Sequence, residues 1–354
     1  MPLTPAELDE LEFERGRLLA RLAELDAIFA AERAAPTSSA NPRPTSASPP
    51  ASDAPTGDAC WVLLSSAGLI GRLDASDDLP QAGPRQTHDV IVSAIRTSGE
   101  YGVITSLGRL IRANPADLPS VAVSEGSPNL QGTRRAVDVF ELAAPERVVA
   151  LTRLEPRMFG WALGTREGVV KRVNPEIPRK DEWTIVRLED GDEVVGACEL
   201  TGDQQALVFV TSDAQLLRYP ASAVRPQGVA GGGMVGVKLA PGQHVLFFGV
   251  ADLADAVVAT NAGRLSRYQA DPGSVKITPL DQFPEKGRAT AGVRCHRFLK
   301  GEDVLQLAWV GRPPVIAATV TGSPSNLPAA EARRDGSGVA VASSLAAFGS
   351  RRPG

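Results

Sequence analysis

Short apolar runs of four or five residues, broken by a small polar turn and then resumed, recur along most of the chain. "GVITSLGRLIRA" is the clearest instance: apolar positions on both sides of Gly108 predict two antiparallel strands joined by a tight turn. Aligned on that turn, the sequence gives "WVLLSSAGLIGRL", "GVITSLGRLIRA", "WALGTREGVVKRV", "VFVTSDAQLLRY", "VVATNAGRLSRY" and a degenerate "IAATVTGSPSNL". The turn residues are Gly68, Gly108, Gly168, Ala214, Gly263 and Gly322. Four positions on stand Arg72, Arg112, Arg172, Arg218, Arg267 and finally Asn326.

A second apolar element precedes each of the last five hairpins: "HDVIVSA", "ERVVALTRL", "DEVVGACEL", "QHVLFFGVA" and "EDVLQLAWV". Its leading valines, Val90, Val148, Val194, Val245 and Val304, lie 18 or 20 residues before the turn residue. Each unit therefore holds three or four short strands in about 40 to 60 residues, the range of a propeller blade. A β-helix needs a shorter period, and a helical solenoid needs 3.6-residue periodicity in every unit. The pattern predicts an all-β fold, a six-bladed β-propeller over residues 58–345 with a disordered tail at 346–354.

The first residues follow another rule. Thr4-Pro5-Ala6-Glu7 reads as a capping box, and Leu8, Leu11, Leu18, Leu22, Leu25 and Phe29 then recur at steps of three and four, with Arg15 at one core position. Residues 1–33 are expected to hold one long coiled-coil-type helix that needs a partner helix, which can come by self-association. Residues 34–57, rich in proline, serine and alanine, are expected to be a flexible linker.

Charge changes the picture little. Of a net −4, all falls in residues 1–57, with nine acidic against five basic residues; the rest balances at 32 against 32. A neutral body does not by itself announce nucleic-acid binding, so such a role requires basic residues gathered on one surface. No apolar run is long enough to cross a bilayer. Cys60, Cys198 and Cys295 lie far apart without metal-ligand spacing, which fits a reducing, cytoplasmic compartment. His88, His244 and His296 have no partners of catalytic or metal-binding spacing, and no phosphate-binding fingerprint is present. The run "VAGGGMVGV" reads as an inter-blade connection rather than a phosphate cradle. Neither catalysis, nor a metal, nor a cofactor is expected of this chain.

The recurring arginine permits two readings. It can lay its stem in the seam between blades and bond a neighbouring carbonyl, or it can form a regularly spaced cationic track for the phosphates of a duplex.

The order "TNAGRLSRY", "TPLDQFPEKGRATAGV", "LKGEDVLQLAWV" resembles the C-terminal domain of the A subunit of bacterial type IIA topoisomerases, DNA gyrase and topoisomerase IV. Phe283, Pro284, Gly287, Arg288, Gly292 and Val293 match that family's loop, and residues 8–29 resemble the last helix of its coiled-coil segment. The resemblance implies a six-bladed β-pinwheel whose basic rim binds and bends double-stranded DNA for strand passage. It implies partners in the A-subunit core and the ATPase B subunit. Carried over, it makes Arg72, Arg112, Lys171, Arg172, Arg218, Arg267 and Arg288 candidate phosphate contacts. The stretch "DLPQAGPRQTHD" lacks the basic, glycine-rich heptapeptide of gyrases, which favours a topoisomerase IV-like role. No counterpart of the family's tyrosine-bearing breakage domain is present, and Tyr101, Tyr219 and Tyr268 read as packing residues. The rival expectation is a non-catalytic propeller serving as a protein-interaction platform.

Overall fold

The computed structural model describes residues 59–74, 79, 90–124, 127–155, 159–265 and 272–350. The expected helix, the linker to residue 57 and the stretch 80–89 lie outside the described residues.

Five sheets of four or more strands are built alike. In the first, the hairpin Cys60–Ser65 and Leu69–Leu73 is flanked by an inner strand, Ile91–Thr97, and an outer one, Arg134–Arg135. The second pairs the hairpin Tyr101–Thr105 and Arg109–Ala113 with Val148–Arg153 inside and Glu182–Thr184 outside. The third uses Trp161–Thr165 and Val169–Val173, with Val194–Glu199 inside and Pro226–Gln227 and Met234–Val235 outside. The fourth uses Ala206–Thr211 and Gln215–Pro220, with Val245–Ala251 and Val293–Arg294. The fifth uses Val257–Gly263 and Ser274–Pro279, with Val304–Gly311 and Val339–Ala340. The inner strands pack one on the next around a ring that Leu345–Ser350 completes by touching Ile91–Thr97.

Each inner strand follows its hairpin in the chain, whereas each outer strand arrives from beyond the next hairpin. Blades thus exchange strands, and both faces of every hairpin are covered by neighbouring sheets. Trp161–Thr165, Tyr101–Thr105 and Ala206–Thr211 are buried at every position for that reason, and their sequences read as unbroken apolar runs rather than alternating ones.

The sixth position differs from the expected complete blade. Val315–Thr319 pairs with Leu345–Ser350 in a two-stranded sheet, and the second hairpin strand shrinks to the single bridge Ala318–Pro324. Pro324 has no N–H to donate to a ladder. By the exchange rule, a sixth outer strand would come from beyond the first hairpin, a stretch largely outside the described residues. The wheel therefore has five full blades and a two-stranded remainder. The tail expected to be disordered from 346 is likewise corrected: Leu345, Ala347 and Phe348 are buried, and 345–350 is the last inner strand.

A local rule closes the turns. A hydroxyl at the end of the first hairpin strand accepts from the N–H four residues on: Ser65 from Leu69 at 3.2 Å, Thr105 from Arg109 at 3.3 Å, and Thr165 and Thr211 from Val169 and Gln215 at 3.1 Å. The strand bulges at these same residues. In the fifth hairpin the bulge places Ala262 at that position, with no hydroxyl, and the second strand begins only at Ser274. The expected turn at Gly263 is thus a strand end. Gly108 shows why glycine suits the tight turns: φ is +74°, and a Cβ would stand 2.8 Å from the Val186 carbonyl oxygen.

Candidate nucleic-acid interface

The register puts Arg72, Arg112, Arg172 and Arg218 opposite Val62, Gly102, Ala162 and Val208, which are equivalent positions of successive hairpins. From there the guanidinium groups reach the incoming exchanged segment. Arg112 Nε donates to the Lys180 carbonyl at 3.2 Å and Nη2 to the Pro178 carbonyl at 2.8 Å, while Nη1 meets Glu100 at 2.6 Å. Its guanidinium lies 5.8 Å from the Trp183 ring centroid. Arg172 Nη1 donates to the Ala221 and Val224 carbonyls at 3.0 and 3.3 Å, and Nη2 to Asp203 at 2.6 Å. Arg218 Nε donates to the Phe283 carbonyl at 2.6 Å. Arg72 is half-buried and pairs with Asp74 at 2.9 Å.

Lys171, Arg172 and Arg218 are 1%, 6% and 9% exposed, so the expectation that they touch phosphate is corrected. Each of the three donates to main-chain carbonyls of the exchanged segments, and Arg172 also to Asp203. Arg112 serves the same seam. Arg267 lies outside the described residues, and the register gives its expected place, opposite Ala259, to Ile277. Where a guanidinium fills the third and fourth seams, the fifth has a groove of about 450 Å³ lined by Ile277, Val257, Ser325, Asn326 and Leu327. Arg288 is half-buried and donates to the Val235 carbonyl.

Two buried lysines occupy one register position in different blades. Lys171 faces Leu163, and Lys276 faces Thr260. Lys171 Nζ donates to the carbonyls of Ile185 at 2.7 Å, Val229 at 3.0 Å and Gly231 at 2.7 Å. Lys276 Nζ donates to those of Cys295 at 3.2 Å and Arg334 at 3.0 Å, and to the Thr278 hydroxyl. Burial lowers both, Lys171 to about 8. His296, also buried, accepts at Nε2 from the Gly338 N–H at 3.1 Å and contacts the Thr260 hydroxyl through Nδ1 at 2.9 Å. Burial first, and Lys276 second, push it down to about 4. His244 is half-buried, and His88 lies outside the described residues. Tyr101 and Tyr219 are buried, as packing residues are.

Cations that remain available stand on the outer strands and the loops beside them. Arg134 and Arg135 are the exposed outer strand of the first blade, and Arg294 stands on that of the fourth. Arg179, Lys180 and Arg187 flank the outer strand of the second blade; Arg225 and Lys238 flank the two segments of the third; Lys286 precedes that of the fourth. All nine are exposed, and none has a carboxylate within 4.0 Å among the described residues. Sequence reading missed them because outer strands only two residues long carry no periodicity.

Residues 205–252 and 273–308 match the family model described as the DNA gyrase C-terminal domain, β-propeller. They cover the fourth blade's hairpin and inner strand, the second strand of the fifth hairpin, and the Phe283 loop that Arg218 holds. The fourth blade and part of the fifth are thus similar to the DNA gyrase C-terminal β-propeller domain. Among relatives, a topoisomerase subunit, TopoM, of Mycolicibacterium smegmatis is 35% identical over 137 residues, 38% of this chain and 18% of that protein. The DNA gyrase A subunit of Salmonella typhimurium is 27% identical over 227 residues, 63% of this chain and 23% of its own length. That of Kosmotoga olearia is 26% identical over 251 residues, 70% and 30% respectively. The chain thus spans less than a third of the length of these relatives. The solved C-terminal domain of DNA topoisomerase IV superposes with a TM-score of 0.64 at 17% identity, covering 83% of this chain and 93% of that one. The gyrase A C-terminal domain gives 0.58 at 15%, covering 82% and 99%. These superpositions speak for the shared fold.

Proposed function

We propose that this propeller is a duplex-DNA-binding and DNA-bending module in the A subunit of an ATP-dependent type IIA topoisomerase, working beside a breakage core and a separate ATPase chain. The match of residues 205–252 and 273–308 to a family known as the DNA-binding module of these enzymes supports it. The single observation that carries it for this chain is the exposure, on outer strands, of cations without a carboxylate partner among the described residues, Arg134, Arg135 and Arg294 foremost. Phosphate contact without base reading needs such cations and little else. A topoisomerase IV-like rather than gyrase-like role rests on the stretch "DLPQAGPRQTHD", and association through residues 4–33 on the heptad pattern. Among the described residues no helix is long and apolar enough to cross a membrane, in keeping with a cytoplasmic, nucleoid-associated role.

Duplex affinity measured against salt for the wild type and for Arg134→Gln/Arg135→Gln tests the reading. Loss of two phosphate contacts lowers the slope of log K against log salt by about 1.8, whatever the DNA sequence. An unchanged slope removes the outer-strand cations and leaves the protein-interaction platform as the better reading.

A further inference from the structure

The loop 228–233 covers a charge that nothing nearby balances. Lys171 is 1% exposed, and no carboxylate lies within 4.0 Å of it among the described residues. Its ammonium is satisfied only by carbonyls, two of which, Val229 and Gly231, belong to the loop. A trans peptide holds its N–H opposite its C=O. With the Val229 and Gly231 carbonyls aimed down at the ammonium, the Ala230 and Gly232 N–H groups point away from it, toward the loop's outer side. Ala230 is exposed and Gly232 half-buried, and neither N–H has an acceptor among the described residues. Their neighbours in the loop are engaged: Gly231 N–H by the Gly228 carbonyl at 3.1 Å, and Gly233 N–H by Gln227 Oε1 at 3.0 Å. A cation bonded to the carbonyl end of a peptide polarises its N–H end, so these two are strengthened donors.

The glycines are what the loop's path demands. A Cβ at Gly231 would stand 2.4 Å from Gln227 Oε1, and one at Gly233, where φ is +87°, 2.7 Å from the Val170 carbonyl oxygen. The loop is pinned, not slack. Arg187, whose N–H donates to the Gly231 carbonyl at 3.3 Å, and Arg225 border it, and both are exposed. The other charged groups on the elements packed here are Arg172 on the lysine's own strand and Glu189 and Asp190 beyond Arg187.

We propose that residues 228–233 form a backbone seat for a phosphodiester oxygen of duplex DNA, with Lys171 beneath it as a positioning charge. This rests on the DNA-binding reading above but assigns the third blade a contact made by peptide N–H groups rather than by a side chain. An anion on the loop favours the charged ammonium.

The chain has only six lysines, so carbon-13 lysine NMR of the full chain follows Lys171 directly, with Lys276 as a control buried at the equivalent position. Saturation with a 20-base-pair duplex raises the Lys171 midpoint from about 8 by a pH unit or more and leaves Lys276 in place. In Ala230→Pro, which removes one outward N–H and no charge, that rise falls by half or more. A bound duplex with Lys171 unmoved, or a full rise in Ala230→Pro, overturns the seat while leaving the outer-strand reading intact. If no duplex binds at all, the DNA reading fails. Titration with inorganic phosphate then decides alone: a Lys171 rise sustains an anion seat, and none overturns it.

Discussion

Arg172→Met separates the two roles open to the arginine series, because the seam and the track predict opposite results. The side chain is 6% exposed, and its stem sits where methionine keeps the packing. What disappears is the head. The Ala221 carbonyl retains the Val224 N–H at 3.0 Å, so it stays satisfied; the Val224 carbonyl loses its guanidinium donor. One newly orphaned buried carbonyl costs about 1–3 kcal/mol, and loss of charge-assisted bonds adds about 1 kcal/mol. Asp203 is more than half exposed and rehydrates, so its ion pair adds at most about 1 kcal/mol. The sum is about 2–5 kcal/mol of unfolding free energy, read by urea titration. The salt slope of duplex binding in the same variant stays within error of wild type. Unchanged stability together with a slope lower by about 0.9 would return Arg172 to the DNA surface and refute the seam.

Further tests follow from other residues. As pH falls from 6.5 to about 4, the unfolded chain protonates His296 before the folded one does, so wild type loses up to about 3 kcal/mol that His296→Gln does not lose, measured as the difference between their pH–stability curves. For Lys171 the folded midpoint, about 8, lies below the ordinary 10.5, so the unfolded chain holds its proton longer and stability rises with pH across that window; Lys171→Met, compared by urea titration at pH 7.5 and 9.5, lacks the rise. Gly108→Ala puts a Cβ against the Val186 carbonyl at positive φ and costs more than about 1 kcal/mol, checked by thermal unfolding, whereas Ala214, at φ 60°, already carries a Cβ at the equivalent turn.

The hairpins and inner strands were legible because each is an apolar run with a fixed turn chemistry; the hydroxyl of Thr105, Thr165 or Thr211 sits in the text as plainly as Gly108, Gly168 or Ala214 three residues on. Strand exchange was not legible, since the outer strands are two or three residues long and pair with sequence far behind them. The fifth hairpin misled for a specific reason. "TNAG" resembles "TSDA", but the bulge falls at Ala262, two residues later than Thr260 would place it, so the register place expected for Arg267 belongs to Ile277. The arginine period itself was real, and in the second, third and fourth blades its meaning was the blander of the two: Arg112, Arg172 and Arg218 fill seams by donating to carbonyls of the segment each blade receives.

That outcome also explains how a body with 32 acidic and 32 basic residues can hold a positive surface. Buried cations here are balanced mostly by peptide carbonyls, as Lys171 and Lys276 show, while many carboxylates are tied down elsewhere. Glu146 and Glu182 are held by Arg109, Glu199 by Arg153, Glu193 by Arg147 and Arg166, and Asp252 and Asp255 by Arg312. Arg134, Arg135 and Arg294 on the outer strands have no such partner among the described residues. Net charge sums over both populations, but a duplex meets only the second within a Debye length of about 8–10 Å at working salt. Neutral composition and a cationic rim are therefore compatible, and the sequence-level objection to DNA binding loses its force once the pairs are assigned.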